Sequence, residues 1–449
     1  MITSSRPTTL DLLNPGTFRR EEAHDILRWL RHNDPVHWNE GDERVNGFWS
    51  ITKYADVLHI SRHPELFSSE KGIAGSGFRP EVMERILADP RTAGQAQPGA
   101  VSIITMDPPR HVKMRRLVNK GFTPRAVNAM ESTIREITNS ILDDIANRGE
   151  CDFVTDVAAQ LPLAVICGMV GLEKQDWPLM FELTNSVLGS GDPEYQTEVP
   201  EDQRGSAEAQ LQTALTGRVK MIQYFSQVLQ DRRNNPREHD LISILLDAEV
   251  DGDKLSEGDI LAFCFLLILA GNETTRNAIS GGLLALCQNP GEKAKLIANP
   301  SLMDSAVEEI CRWTSPLHHM SRYVNEDCEI GGKQIKAGER VLMWYLSANR
   351  DEAVFHEPYR FDIERSPNEH LAFGIGEHFC LGAGFARKEI KVMFEELFRR
   401  FPDIDVAGPE ERLNSNFING IKHLPVRFTP EREGSYRQSE TLSLPEGTI

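Results

Sequence analysis

Cys380 stands in Phe373-Gly374-Ile375-Gly376-Glu377-His378-Phe379-Cys380-Leu381-Gly382, a glycine-punctuated loop that runs into a helical pattern from Ala383 to Phe398. A thiol at a helix start faces free backbone N–H groups, whose partial positive charge favours the thiolate and lowers the pKa. A thiolate can act as a nucleophile or bind a metal, whereas a neutral thiol packs as a small hydrophobe. Gly374, Gly376 and Gly382 allow a close approach that a Cβ would obstruct.

A second group lies in the apolar stretch Ile260 to Gly282, which is interrupted by Ala270-Gly271-Asn272-Glu273-Thr274-Thr275. An acid and two hydroxyls in a buried helix each need a partner, so the interruption calls for a reason. The same residue types also favour a helix start, which is the plainer reading. Glu309 and Arg312, three apart, share a helix face, although such a pair contributes little when exposed. Further cations and one histidine fall in Asp107-Pro108-Pro109-Arg110-His111-Val112-Lys113-Met114-Arg115-Arg116.

These groups need a large scaffold to bring them together, and 449 residues can bury one. A strand is expected at Phe48 to Thr52, a helix from Tyr54 to Ile60, and a mostly helical body after them. Two stretches look irregular: the Gly-, Ala- and Pro-rich segment between Lys71 and Ala100, and the polar segment Gly189 to Ser206. The net charge of −18 argues against nucleic acid as a partner. Met1 to Asn14 has no apolar signal core, and the longest apolar run, Ile260 to Ala270, is short of the roughly twenty residues that span a bilayer. The seven cysteines include no C-x-x-C pair. The expectation is a cytoplasmic protein without a membrane anchor.

The Cys380 loop resembles the haem-ligand signature of the cytochrome P450 superfamily, and segments from Asp107 to His423 carry further likeness to it. The resemblance implies one domain over 1–449, mainly α with small β-sheets, a triangular helical body around a buried haem b, and loose tails at 1–14 and 430–449. Cys380 would be the axial iron ligand in a loop containing Phe373 and Gly374. His111, Arg115, Arg322 and His378 would meet the haem propionates. Thr274 and Glu273 would serve dioxygen and proton delivery at a kink beside Gly271. Glu309, Arg312 and Arg360 would lock the fold. Ile104, Leu266, Ala270, Leu317, Met320, Phe417 and Ile418 would line the substrate pocket, with Lys71–Ala100 as its cover and Gly189–Ser206 as a mobile lid.

The implied reaction is monooxygenation of a hydrophobic small molecule with O2, with electrons from a ferredoxin and its reductase. The runs Ala270–Asn277 and Asn419–His423 resemble bacterial members that oxidise sterols, terpenoids or branched lipids. Arg110, Lys113, Arg116 and Lys120, with Arg387, Lys388 and Lys391, would face the ferredoxin. A peroxide-driven haem-thiolate enzyme and a non-catalytic haem sensor are the competing classes.

Overall fold

The computed structural model describes residues 6–431 except 44, 76–78, 80, 82–101, 238–239 and 251–252. Most of the expected cover between Lys71 and Ala100, and nearly all of the C-terminal tail, lie outside the described residues. The rest is a helical body with small sheets, as expected.

At its centre runs the helix Glu257–Gln288, opened by Ser256, whose hydroxyl accepts the Asp259 N–H. Apolar residues on all sides of a helix require neighbours on all sides. The helices Gln160–Val170, Trp177–Leu188, Ala207–Asn234, Met303–Thr314 and Ala383–Arg400 supply them. By length and composition the central helix could cross a membrane, but 56% of its most apolar window is buried by these neighbours. The helix is continuous from Glu257 to Gln288, so the expected interruption at 270–275 is not a break in it. Glu273 pairs with Arg276 three residues on, Thr274 donates to the Ala270 carbonyl and Arg276 reaches Asn185 on a neighbouring helix, while the buried Asn272 amide has no partner among the described residues.

A five-stranded sheet flanks this body in the order Val36–Asn39, Phe48–Ile51, Arg340–Trp344, His319–Val324, Phe67–Ser68. Only the pairing of Arg340–Trp344 with Phe48–Ile51 is parallel. Alternation along His319–Val324 puts Met320 and Arg322 on one face, and both reach the same cavity. The expected strand and helix near residue 50 are found at Phe48–Ile51 and Tyr54–Arg62. Gly189–Ser206 does separate two helices, which end at Leu188 and begin at Ala207.

Candidate active site

A cavity of about 240 Å³ opens between the central helix, the strand His319–Val324 and the Cys380 loop. Ile104, Leu266, Ala270, Thr274, Leu317 and Met320 line it, as do His111, Arg115, Arg322, Phe373, Gly374, His378 and Cys380. Most of the expected constellation therefore converges on one space. Ile73, Val165, Ile166, Met169, Phe263 and Leu267 also line it, and their apolar side chains carried no signal apart from the core.

Three expected members do not line the cavity. Ile418 is buried and pairs as an isolated β-bridge with Leu317, while the Phe417 carbonyl accepts the His318 N–H at 2.9 Å and its ring lies 5.4 Å from that of His319. That turn backs Leu317, which is the residue presented inside. Glu273 is the third: one helical position from Thr274 turns its side chain to another face.

Cys380 is held by its own loop: its N–H donates to the Phe373 carbonyl at 2.9 Å. Gly376 has φ +76°, and an added Cβ there would come 2.4 Å from the Ser61 carbonyl oxygen, so the loop lies on the end of the helix Tyr54–Arg62. Gly382 differs from expectation, with φ −85° and no protein atom near an added Cβ. The thiol also differs. Burial pushes Cys380 up, outweighing the Gly382 N–H, Arg115, Arg387 and the Ala383 N–H, which pull it down. Cys380 lines both the cavity and the groove on its other side. A coordinated cation reverses the balance, because a ligating thiol is deprotonated outright.

Beside the Cys380 loop the cavity gathers Arg115, Arg322, His111 and His378, with Asp107 as an acidic neighbour of Arg322 and His111. Arg322 is 6% exposed, donates to the Ser321 carbonyl at 2.8 Å, and among the described residues meets no carboxylate. His111 is buried with Nδ1 lacking a partner, and its ring lies 4.2 Å from that of His378. Burial, with Arg322 and His111 beside it, holds His378 down to about 3, so that imidazole is neutral. Arg115 donates to the carbonyls of Glu377 and Phe379 at 3.1 and 2.6 Å. A buried guanidinium in contact with no carboxylate and an unpartnered buried His111 nitrogen suit an anionic ligand, and the implied haem carries two carboxylates. With Cys380 lining the same cavity, these residues fit haem: Cys380 would ligate iron, and His111, Arg115, Arg322 and His378 would face the propionates. Bound through a thiolate, haem supplies reductive O–O cleavage.

On the central helix, the Thr274 hydroxyl donates to the Ala270 carbonyl at 2.8 Å and lines the cavity. Glu273 is 1% exposed and paired with Arg276, which donates to Asn185 at 2.9 Å. Burial raises the Glu273 pKa, and Arg276 opposes it. The Glu273 side chain is thus closed off from both solvent and cavity, contrary to the expected open relay.

Around Glu309 the expected trio is half right. Arg312 donates to both Glu309 oxygens at 2.7 Å, and neither side chain is exposed. The third cation is Arg365, whose Nε reaches Glu309 at 3.1 Å. Arg360 instead pairs with Glu357 at the surface, and only its carbonyl joins the cluster, accepting from Arg312 and Arg365. The Pro358-Tyr359-Arg360-Phe361 sequence identified the right segment, but its backbone presents the carbonyl inward.

Below Cys380 a groove of about 560 Å³ contains Arg387, Lys388 and Lys391. Each is paired, with Glu308, Glu131 and Asp304 respectively, and Arg110 is paired with Asp259. Arg116 and Lys120 are exposed. The surface is mixed in charge, where a converging cluster of cations was expected.

Comparison with known proteins agrees with this geometry. The cytochrome P450 family profile matches residues 85–412. The methyl-branched lipid omega-hydroxylase of Mycobacterium tuberculosis is 41% identical over 389 residues, covering 86% of this chain and 85% of the relative. A steroid C26-monooxygenase of the same organism is 35% identical over 424 residues, covering 94% and 97%. Among solved structures, the Mycobacterium marinum cytochrome P450 in complex with pseudoionone superposes with TM-score 0.82 at 34% identity, covering 95% of this chain and 100% of that one. A Bacillus megaterium cytochrome P450 in complex with testosterone gives 0.79 at 31%, covering 92% and 99%. A thiol, two arginines and two histidines on one largely apolar cavity, within a chain matched by that family over most of its length, identify the protein as a cytochrome P450 monooxygenase.

Proposed function

We propose that this enzyme hydroxylates a steroid, terpenoid or methyl-branched lipid, using haem b and electrons delivered one at a time by a ferredoxin and its reductase in the cytoplasm. One oxygen atom enters a C–H bond, and the other leaves as water with two protons and two electrons. The observation that carries the reading is the wall above Cys380: Ile104, Leu266, Ala270, Leu317 and Met320 offer a ligand no hydrogen-bonding side chain. Burying unmatched polar atoms there is costly, so a mostly hydrocarbon ligand is favoured. The named activities of the 41% and 35% identical relatives support the same substrate class.

Within this reading Thr274 holds a proton at the cavity wall on Oγ. Glu273 replenishes it only after its carboxyl leaves Arg276. A panel of methyl-branched fatty acids, terpenoids and steroids, read by the spin-state change of the haem spectrum, tests the substrate class. A panel in which only polar compounds bind would reject it. Turnover should require reduced ferredoxin and oxygen; turnover on peroxide alone would favour the peroxygenase class, and none with either donor would favour a sensor.

A further inference from the structure

His423 ends the strand Ile421–His423, and both of its ring nitrogens meet carboxylates from other parts of the chain. Nδ1 meets Asp152, on the strand Glu150–Asp152, and Nε2 lies 3.0 Å from Glu194, in the Gly189–Ser206 segment. A neutral imidazole has one N–H and can donate to only one carboxylate, so holding both requires the imidazolium. The neighbouring Lys422 reaches Asp192 at 3.2 Å and Glu194 at 2.7 Å. Asn414 adds two bonds: its N–H donates to Asp192 at 3.0 Å, and its side-chain amide to the Gly191 carbonyl at 3.0 Å.

The segment so gripped is braced within itself. Gln196 donates to the Ser190 carbonyl at 2.8 Å and accepts the Gly205 N–H at 2.7 Å. It joins Trp177–Leu188 to Ala207–Asn234, and both helices pack on the central helix that walls the cavity. Freeing it would loosen both.

We infer that Gly189–Ser206 is a lid latched by His423, whose protonated ring clamps Asp152 and Glu194 together, and whose deprotonation breaks one side of that clamp, loosens the lid still held by Lys422 and Asn414, and speeds ligand passage to the cavity. Charged groups face His423 from each packed element: Asp152 from its strand, Glu194 and Asp192 from the lid, and Glu411 from the paired hairpin strand, with Lys422 adjacent. Farther out, Asp156 accepts the Asp152 N–H and pairs with Arg148. Burial lowers the His423 pKa, but the bonds to Asp152 and Glu194 outweigh it, and the net shift is upward from 6.5. A raised pKa means that the clamp is complete on the acid side and lost as pH rises through the shifted value. Lys422 remains charged throughout, because its pKa is also raised.

The full-length haem enzyme and its His423→Gln variant would be followed by amide hydrogen exchange in residues 190–205, corrected for intrinsic rates, between pH 6 and 9. Stopped-flow binding of phenylimidazole, a bulky iron ligand, would be measured in parallel. That probe needs no lipid pocket, so failure of the proposed substrate class leaves the test intact. Opening in the wild type should increase by about fivefold across the window, as expected for a partly exposed charged pair, with a matching gain in phenylimidazole on-rate. His423→Gln should be open and flat in both measurements. Wild-type exchange that ignores pH, or a variant that keeps the pH dependence, would overturn the latch. Exchange that responds while the on-rate does not would overturn its role as a gate.

Discussion

Glu309 and Arg312 form a two-pronged ion pair, both contacts at 2.7 Å, in which neither side chain has any exposure. Arg312 also donates to the carbonyls of Asn349, Pro358 and Arg360, so one guanidinium ties its helix to the segment leading to the Cys380 loop. Removing Arg312 leaves Glu309 with Arg365 but takes the donor from the buried Asn349 and Pro358 carbonyls and half the charge from a buried pair, at about 3 kcal/mol. Arg312→Ala should unfold at lower denaturant concentration by that margin and lose haem. A loss under about 1 kcal/mol would mean that solvent reaches the pair.

Arg365 and Arg360 should part clearly. The Arg365 side chain is 8% exposed against Glu309, while that of Arg360 is 58% exposed against Glu357. Arg365→Ala should cost about 1–3 kcal/mol and Arg360→Ala about 0.5 kcal/mol or less. Thermal melts of the two variants decide it, and the opposite ranking would restore Arg360 to the cluster.

The expected residues that the structure brings to the cavity include those whose chemistry is unusual for their place: Cys380 at a glycine-rich helix start, and the Thr274 hydroxyl inside an apolar helix. Arg360, Phe417 and Ile418 are placed otherwise than expected for a common reason. Each lies in the right segment, but whether its side chain or its carbonyl points inward depends on local backbone direction, which composition does not report. Arg365 gave no signal, because a lone arginine in Ser366-Pro367 surroundings reads as solvated. The Cys380 pKa was misjudged because a helix-start field was weighed without the larger cost of burial.

Ala270 faces the cavity one turn from Leu266. Ala270→Phe should fill that space and weaken binding of a lipid that shifts the wild-type spin state by tenfold or more, about 1.4 kcal/mol or above. Undiminished binding in a spectral titration would move the substrate elsewhere.

Thr274 has its hydroxyl on the Ala270 carbonyl and its side chain at the wall. Thr274→Ala should keep substrate binding while diverting reducing equivalents to peroxide, measured as NADH consumed per product formed in the ferredoxin-coupled assay. Full coupling in the variant, with a substrate that has no hydroxyl of its own, would remove Thr274 from proton delivery.

The central claim is that Cys380 ligates haem iron as a thiolate, and the ferrous–CO spectrum reads this directly. The wild type should show the long-wavelength band of thiolate ligation, and Cys380→His should bind haem yet lose that band. A Cys380→His variant that retains it would place the ligand on another residue and contradict the account.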